Sequence, residues 1–262
     1  MTRTENLQRI TDALDAAVAA LEPFASGAIA ATTKRGGDPV TAADLAVNDV
    51  LLGMLLRPGE GWLSEETADS IDRLRCERVW IVDPIDGTRE FVEGIPEWCV
   101  SIGLVENGRP VAGGVANPAT GERIVGGTGV GVRYVGERSI ASAKSLAEAT
   151  VLASRSEVRR GEWNRFANEP FAVVPMGSVA FKMALVAAGR ADATWTLVPK
   201  HEWDVAAGAA LVAAAGGWAA LPGGREPLFN QRQPLLPGFG AASAGVARQV
   251  RFLLRASPVS ET

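Results

Sequence analysis

Cysteine and histidine are nearly absent from this sequence: Cys76, Cys99 and His201 are the whole supply in 262 residues. The two cysteines form no Cys-x-x-Cys pair, which excludes a disulfide framework or a thiolate zinc site and points to a reducing compartment. An excess of basic charge is also missing. Lysine and arginine number 26 against 30 acids, a net charge of −4, so nothing draws the chain to a nucleic acid polymer. The tightest basic group, Arg155 to Arg165, is interrupted by Glu157 and Glu162 and reads as a solvated face. No window approaches the ~18 consecutive apolar residues of a membrane span. The longest apolar tract, Val205 to Ala215, is mostly alanine and too short. The opening MTRTENLQRITDALDAA carries acids and lacks the apolar centre of a signal peptide. A cytoplasmic protein without membrane attachment is expected.

What is present suits a globular α/β protein, one large domain or two modest ones. Leu7, Ile10, Leu14, Val18 and Leu21 recur at helical spacing, and Pro23 closes the run. After a loop, TTKRGGDPV, a second helix starts with Thr41 as N-cap and Asp44 in its first turn. Val79 to Val82 has the pattern of a short buried strand ending in a turn and a helix start. WCVSIGLVENGRPVAGGVANP alternates like a hairpin turning at Asn107-Gly108. IVGGTGVGVRYVG reads as further strand and turn, and its glycines are misspaced for a dinucleotide loop. In the second half, ATVLASRS reads as a strand and SVAFKMALVAAGRADATW as a helix leading into a strand. WDVAAGAALVAAAGG reads as a buried helix stopped at Gly216-Gly217, PGFGAASA as the last strand, and Val246 to Leu254 as a final helix. A soft boundary near residues 140 to 148 divides an N-terminal α+β unit, 1–144, from a C-terminal α/β unit, 145–262.

Four acidic clusters stand beside apolar segments: Asp44 in PVTAAD, Glu65-Glu66 in WLSEE, Asp83 and Asp86 in WIVDPIDGT, and Asp204 in EWD. Buried carboxylates are costly unless paired or metal-bound. With one histidine and no cysteine cluster, the chain offers oxygen ligands, which suit magnesium, calcium or manganese. Glu65, Asp83, Asp86 and Asp204 together would neutralise two magnesium ions, the requirement of two-metal phosphoryl chemistry. Gly87-Thr88, after Asp86, opens a helix whose N–H groups would meet phosphate oxygens. The aspartyl phosphatases of the haloacid dehalogenase type need Asp-x-Asp-Gly-Thr, and Asp83 to Asp86 is one residue too long for that.

VDPIDGT, preceded by SEE and followed by WDVAAG and AGG, resembles the inositol monophosphatase superfamily over nearly the whole chain. The resemblance implies a five-layered αβαβα fold and two to three magnesium ions. Glu65, Asp83 and the carbonyl of Ile85 would hold one, Asp83, Asp86 and Asp204 the second, and Glu65 a weaker third. Thr88, bonded to Asp44, would orient the attacking water, and Glu66 corresponds to the acid that orders water nearby. The amides of Gly87 and Thr88 would receive the phosphate, beside Asp204. Lithium sensitivity and a homodimer acting on a small phosphorylated metabolite are also implied.

In the inositol branch an acid shortly before the Trp-Asp motif contacts the inositol hydroxyls; the corresponding residue here is Leu197. DPVTAAD, LSEE, DGTREF, Lys182 in FKMALVA, EWDVAAG and LLPGFGAAS are instead similar to the 3'(2'),5'-bisphosphate nucleotidases. That branch is the first expectation. Inositol 1-phosphate, fructose 1,6-bisphosphate and histidinol phosphate remain alternatives, as does a member that binds without turnover. Lys182, set in the apolar FKMALVAAG, either meets an uncleaved phosphate or snorkels to solvent. His201 reads as a structural or rim residue ahead of a catalytic one.

Overall fold

The computed structural model describes residues 2–33, 39–136 and 142–256. In chain order the first elements are α1 (Arg3–Leu21), β1 (Ala31–Thr33), β2 (Pro39–Thr41), α2 (Ala42–Leu55), β3 (Gly61–Ser64), β4 (Arg78–Asp86) and α3 (Thr88–Glu93). Strands β5 (Cys99–Glu106), β6 (Arg109–Asn117), β7 (Glu122–Gly127), β8 (Gly131–Val135) and β9 (Thr150–Ser154) follow, then α4 (Arg155–Arg159) and β10 (Ala172–Met176). The chain continues through α5 (Val179–Ala187), β11 (Ala193–Thr196), β12 (Lys200–His201), α6 (Glu202–Ala214) and β13 (Trp218–Ala220). It ends with β14 (Leu235–Leu236), β15 (Phe239–Ala242) and α7 (Ala247–Ala256).

Local chemistry accounts for most element starts. Thr2 and Glu5 form a capping box at α1, with the Glu5 N–H donating to Thr2 Oγ1 at 3.2 Å and the Thr2 N–H to Glu5 Oε2 at 2.7 Å. Thr41 and Asp44 repeat the device at α2. Asn107 (φ 51°) and Gly108 (φ 76°) are both left-handed, the turn that joins β5 to β6. The expected loop after α1 differs in its ends: Ala31–Thr33 pairs antiparallel with Pro39–Thr41, and residues 34–38 lie outside the described residues. Part of the expected boundary near 140 to 148 also falls outside them, at residues 140 and 141.

Two larger sheets dominate. The first has the order β3-β4-β5-β6-β7-β8, parallel only between β3 and β4. The second has the order β10-β9-β11-β15-β13, with β15 antiparallel to both neighbours. Helices α1 and α2 cover one face of the first sheet through Leu14, Leu51, Trp80 and Ile102. Helices α5 and α6 lie between the sheets, with Met183, Ala206, Ala207 and Leu211 in a shared core. On the far face of the second sheet Val250 and Leu254 of α7 join Trp163 and Phe166. The stack is therefore αβαβα, as the resemblance implies.

The alanine content of α6 has a steric cause. Gly113 of β6 faces α6 so closely that an added Cβ would stand 2.5 Å from the Ala207 carbonyl oxygen. On the other side of the helix, a Cβ at Gly208 would meet Met183 Cβ at 2.4 Å. Larger residues cannot fit between sheet and helix. Glu60 ties the N-terminal layer to the first sheet. Although burial opposes it, hydrogen bonds from Arg9 and Trp80 hold the Glu60 carboxyl down to about 2. No helix among the described residues is long and apolar enough to cross a membrane.

Gly113→Ala should lower unfolding free energy by about 1–3 kcal/mol in urea titrations, because α6 must move to admit the methyl group. Gly53→Ala, at an exposed position of α2 with nothing within 4 Å of the new Cβ, should raise it by about 0.5–1 kcal/mol.

Candidate active site

The site begins with an irregularity in β4. Asp83 and Asp86, three residues apart, pair with Ser101 and Cys99 of β5, which are two apart. The additional residue is a bulge at Pro84-Ile85, where proline has no N–H to give the ladder. Residues three apart in a regular strand face opposite sides; the bulge turns both carboxylates the same way. The strand therefore runs on to Asp86 rather than stopping near Val82. Asp204, in the first turn of α6, completes the group, and ligand oxygens of the three aspartates lie within 4.8 Å of one another.

These carboxylates line a cavity of about 350 Å³. Burial, followed by the charge of Glu65, pushes the Asp83 carboxyl well above its usual range. Burial and the charge of Asp86 do the same to Asp204. Burial also raises Asp86, opposed by the Ser178 hydroxyl at 2.7 Å and the Ala180 N–H at 2.5 Å. All the donor atoms are hard oxygens, and burial and neighbouring carboxylates oppose the ionised forms of Asp83 and Asp204. That combination fits a divalent cation of the magnesium type.

The remaining expected residues take distinct places. Glu65 lines the cavity but stands outside the 4.8 Å group. Ile85 and Gly87 also line it, and Thr88 Oγ1 lies 3.0 Å from Asp44 Oδ1 and 2.9 Å from the Ile85 carbonyl. Asp44 is one side chain further back, held at its other oxygen by the N–H and hydroxyl of Thr41. Gly87 has φ 97°, and a Cβ there would meet the Glu97 carbonyl at 3.0 Å, so glycine alone suits the position. Glu66 is not among the lining residues; its N–H donates to Ser64 Oγ at 3.3 Å. His201 stands at the exposed rim with its ring stacked on Trp203.

Lys182 does not snorkel. Its side chain is buried, and the ammonium donates to the carbonyls of Met176, Gly177 and Ser178 at 3.3, 3.1 and 2.7 Å. Burial pushes it down to about 8, against the opposing charge of Asp86.

The Arg155 to Arg165 segment corrects the sequence reading. It is not simply a solvated face, since Arg155, Arg159 and Arg160 line the cavity. Glu157 is buried and accepts from the Thr196 hydroxyl at 2.5 Å and the Trp163 indole at 3.3 Å. The missed signal was ATVLASRS, a strand running straight into a serine-capped turn, which delivers α4 to the end of the second sheet.

The sequence profile of the inositol monophosphatase family matches residues 5–255. The chain belongs to that family. It is accordingly a phosphatase acting on phosphate monoesters. An inositol-1-monophosphatase of Mesorhizobium japonicum is 35% identical over 75% of this chain and 77% of its own length. A 3'-phosphoadenosine 5'-phosphate phosphatase of Mycobacterium leprae is 36% identical over 79% of this chain and 78% of its own. The solved inositol monophosphatase of Thermotoga maritima superposes with a TM-score of 0.81 at 27% identity, covering 96% of this chain and 97% of that one. The family is metal-dependent, and the three-aspartate group is where a metal fits in this member.

Raised carboxyl pKa values have a sign for stability. Unfolded aspartates release their protons near pH 3.8, whereas folded Asp83 and Asp204 keep theirs to higher pH. The folded state then binds more protons, so without metal stability should fall as pH rises from about 4 toward neutrality. Thermal unfolding in chelator from pH 4.5 to 8 should show that decline, and millimolar magnesium should remove most of it. A flat profile in chelator would refute the raised pKa values.

Proposed function

We propose that this phosphatase is a magnesium-dependent bisphosphate nucleotidase, converting adenosine 3',5'-bisphosphate to AMP. The observation that carries the phosphomonoesterase part is the convergence of buried Asp83 and Asp86 with half-buried Asp204 in one cavity that Glu65 also lines. Magnesium held by Glu65, Asp83, the Ile85 carbonyl, Asp86 and Asp204, in two to three ions, supplies Lewis acidity toward the phosphate and the attacking water. The protein's own groups provide the orientation. Thr88 can give its hydroxyl proton to Asp44, which leaves an oxygen lone pair toward the cavity to accept a hydrogen bond from that water. The Gly87 and Thr88 amides meet the phosphate oxygens at the start of α3. Glu66, set back behind Glu65 rather than lining the cavity, takes by resemblance the role of ordering water.

Support for a nucleotide comes from Leu197. It lines a separate aromatic pocket with Trp163 and Trp195, and so brings no carboxylate to the cavity for inositol hydroxyls. A 3'(2'),5'-bisphosphate nucleotidase of Shigella flexneri, 33% identical over 79% of this chain, agrees with this reading. The second reading, an inositol-1-monophosphatase, is favoured by the Mesorhizobium relative. We read the working protein as a cytoplasmic homodimer.

A phosphate-release screen with magnesium over adenosine 3',5'-bisphosphate, inositol 1-phosphate, fructose 1,6-bisphosphate and histidinol phosphate should give the highest kcat/KM on the first. Faster release from inositol 1-phosphate would transfer the assignment to the second reading. Chelation should abolish turnover and calcium should inhibit, since calcium prefers a looser, larger shell. Asp204→Asn should cut kcat at least about 100-fold. The same variant should melt higher than the parent protein in chelator at neutral pH, because burial and the charge of Asp86 oppose ionised Asp204 and a neutral amide does not meet that opposition.

A further inference from the structure

We infer that Arg159 holds the second, uncleaved anion of the substrate. The inference rests on the bisphosphate nucleotidase reading and names the side chain that meets the second phosphate. The cavity wall is bipolar: the carboxylates of β4 and α6 share it with cations from α3, α4, α5 and β12 and with Arg160 just after α4. Most of those cations are already engaged. Arg155 pairs with Glu97, whose carboxylate also accepts the Gly177 N–H at 2.7 Å, so that arginine braces the turn before α5. Arg160 pairs with Glu162 at 2.6 Å. Lys200 lies 3.7 Å from Glu157, and its charge also stabilises the ionised forms of Asp86 and Asp204. Lys182 is engaged by three carbonyls, and Arg89 of α3 is engaged as well.

Arg159 differs from all of these. It lines the same cavity, is exposed, and has no hydrogen-bond or ion-pair partner among the described residues. Its guanidinium is a fork of donors that matches two oxygens of a phosphate. A solvated surface arginine would also be exposed and unpaired, but the cavity gives this one a task. Its volume of about 350 Å³ is enough for a whole small metabolite rather than one phosphate group. A substrate whose ester phosphate lies on the aspartates therefore has room to extend to α4. The uncleaved phosphate is thus assigned to α4 rather than to Lys182, whose donors point into the backbone.

The test compares adenosine 3',5'-bisphosphate with adenosine 3'-monophosphate, which share the scissile ester and differ only in the second phosphate. In Arg159→Ala the ratio of their kcat/KM values should fall about tenfold, the size of one charge-assisted contact. Arg159→Lys should recover only part of it, since a point charge lacks the fork. A ratio unchanged in Arg159→Ala overturns the inference, whether both efficiencies drop together or neither drops. Calorimetric binding of the two nucleotides to calcium-loaded protein reads the same ratio without turnover. An Arg159-dependent binding preference without phosphate release from either nucleotide would count against the nucleotidase reading alone, and a missing preference would count against Arg159.

Discussion

Repulsion among Asp83, Asp86 and Asp204 is the constraint around which the rest of the molecule is arranged. Burial opposes the ionised form of each carboxyl, and within 4.8 Å of one another two unit charges add a further opposition of a few kcal/mol at an effective dielectric of about 20. The fold tolerates the grouping by giving each carboxylate a backbone N–H from a different element. Ile85 serves Asp83 at 3.1 Å, Ala180 serves Asp86 at 2.5 Å, and His201 serves Asp204 at 3.0 Å. Those three donors belong to the β4 bulge, the start of α5 and the start of α6, so the site lies where three independently supported segments end.

Close packing keeps those segments in place. The first turn of α6 carries Asp204, and further along the helix Ala206 and Ala207 lie against Gly103 and Gly113 of the first sheet, while Gly208 takes Met183 of α5. Sliding α6 would bring backbone into backbone, so packing resists the outward movement that charge repulsion favours. Glu202, next to the site, adds an anchor: its buried carboxylate accepts the N–H groups of Asn230 and Gln231 at 2.6 and 2.9 Å. The rigidity of the metal floor and the alanine content of the helix thus have one origin.

Features encoded in consecutive residues were legible in the sequence. The capping residues Thr41 and Asp44, the Asn107-Gly108 turn and the DPIDGT motif all act over a few positions, and their chemistry can be read from residue type. The β4 bulge was not legible, because it is a mismatch in count against β5 and exists only once the two strands pair. Arg159 was missed for a related reason. A run of arginines and glutamates looks the same whether it faces bulk water or a cavity wall, and only the position of β9 decides. Lys182 showed as anomalous, yet its partners are the carbonyls of its own preceding turn, and no periodicity marks a side chain that folds back.

That folded-back lysine gives the turn before α5 a tethered counter-ion. Three carbonyls converging on one positive charge is the arrangement with which loops elsewhere capture a monovalent cation from solution. Here the cation is part of the chain, so its local concentration does not depend on the ionic composition of the medium. Ser178, kept at φ 52° in that turn, can therefore present its hydroxyl to Asp86 whether sodium or potassium dominates outside.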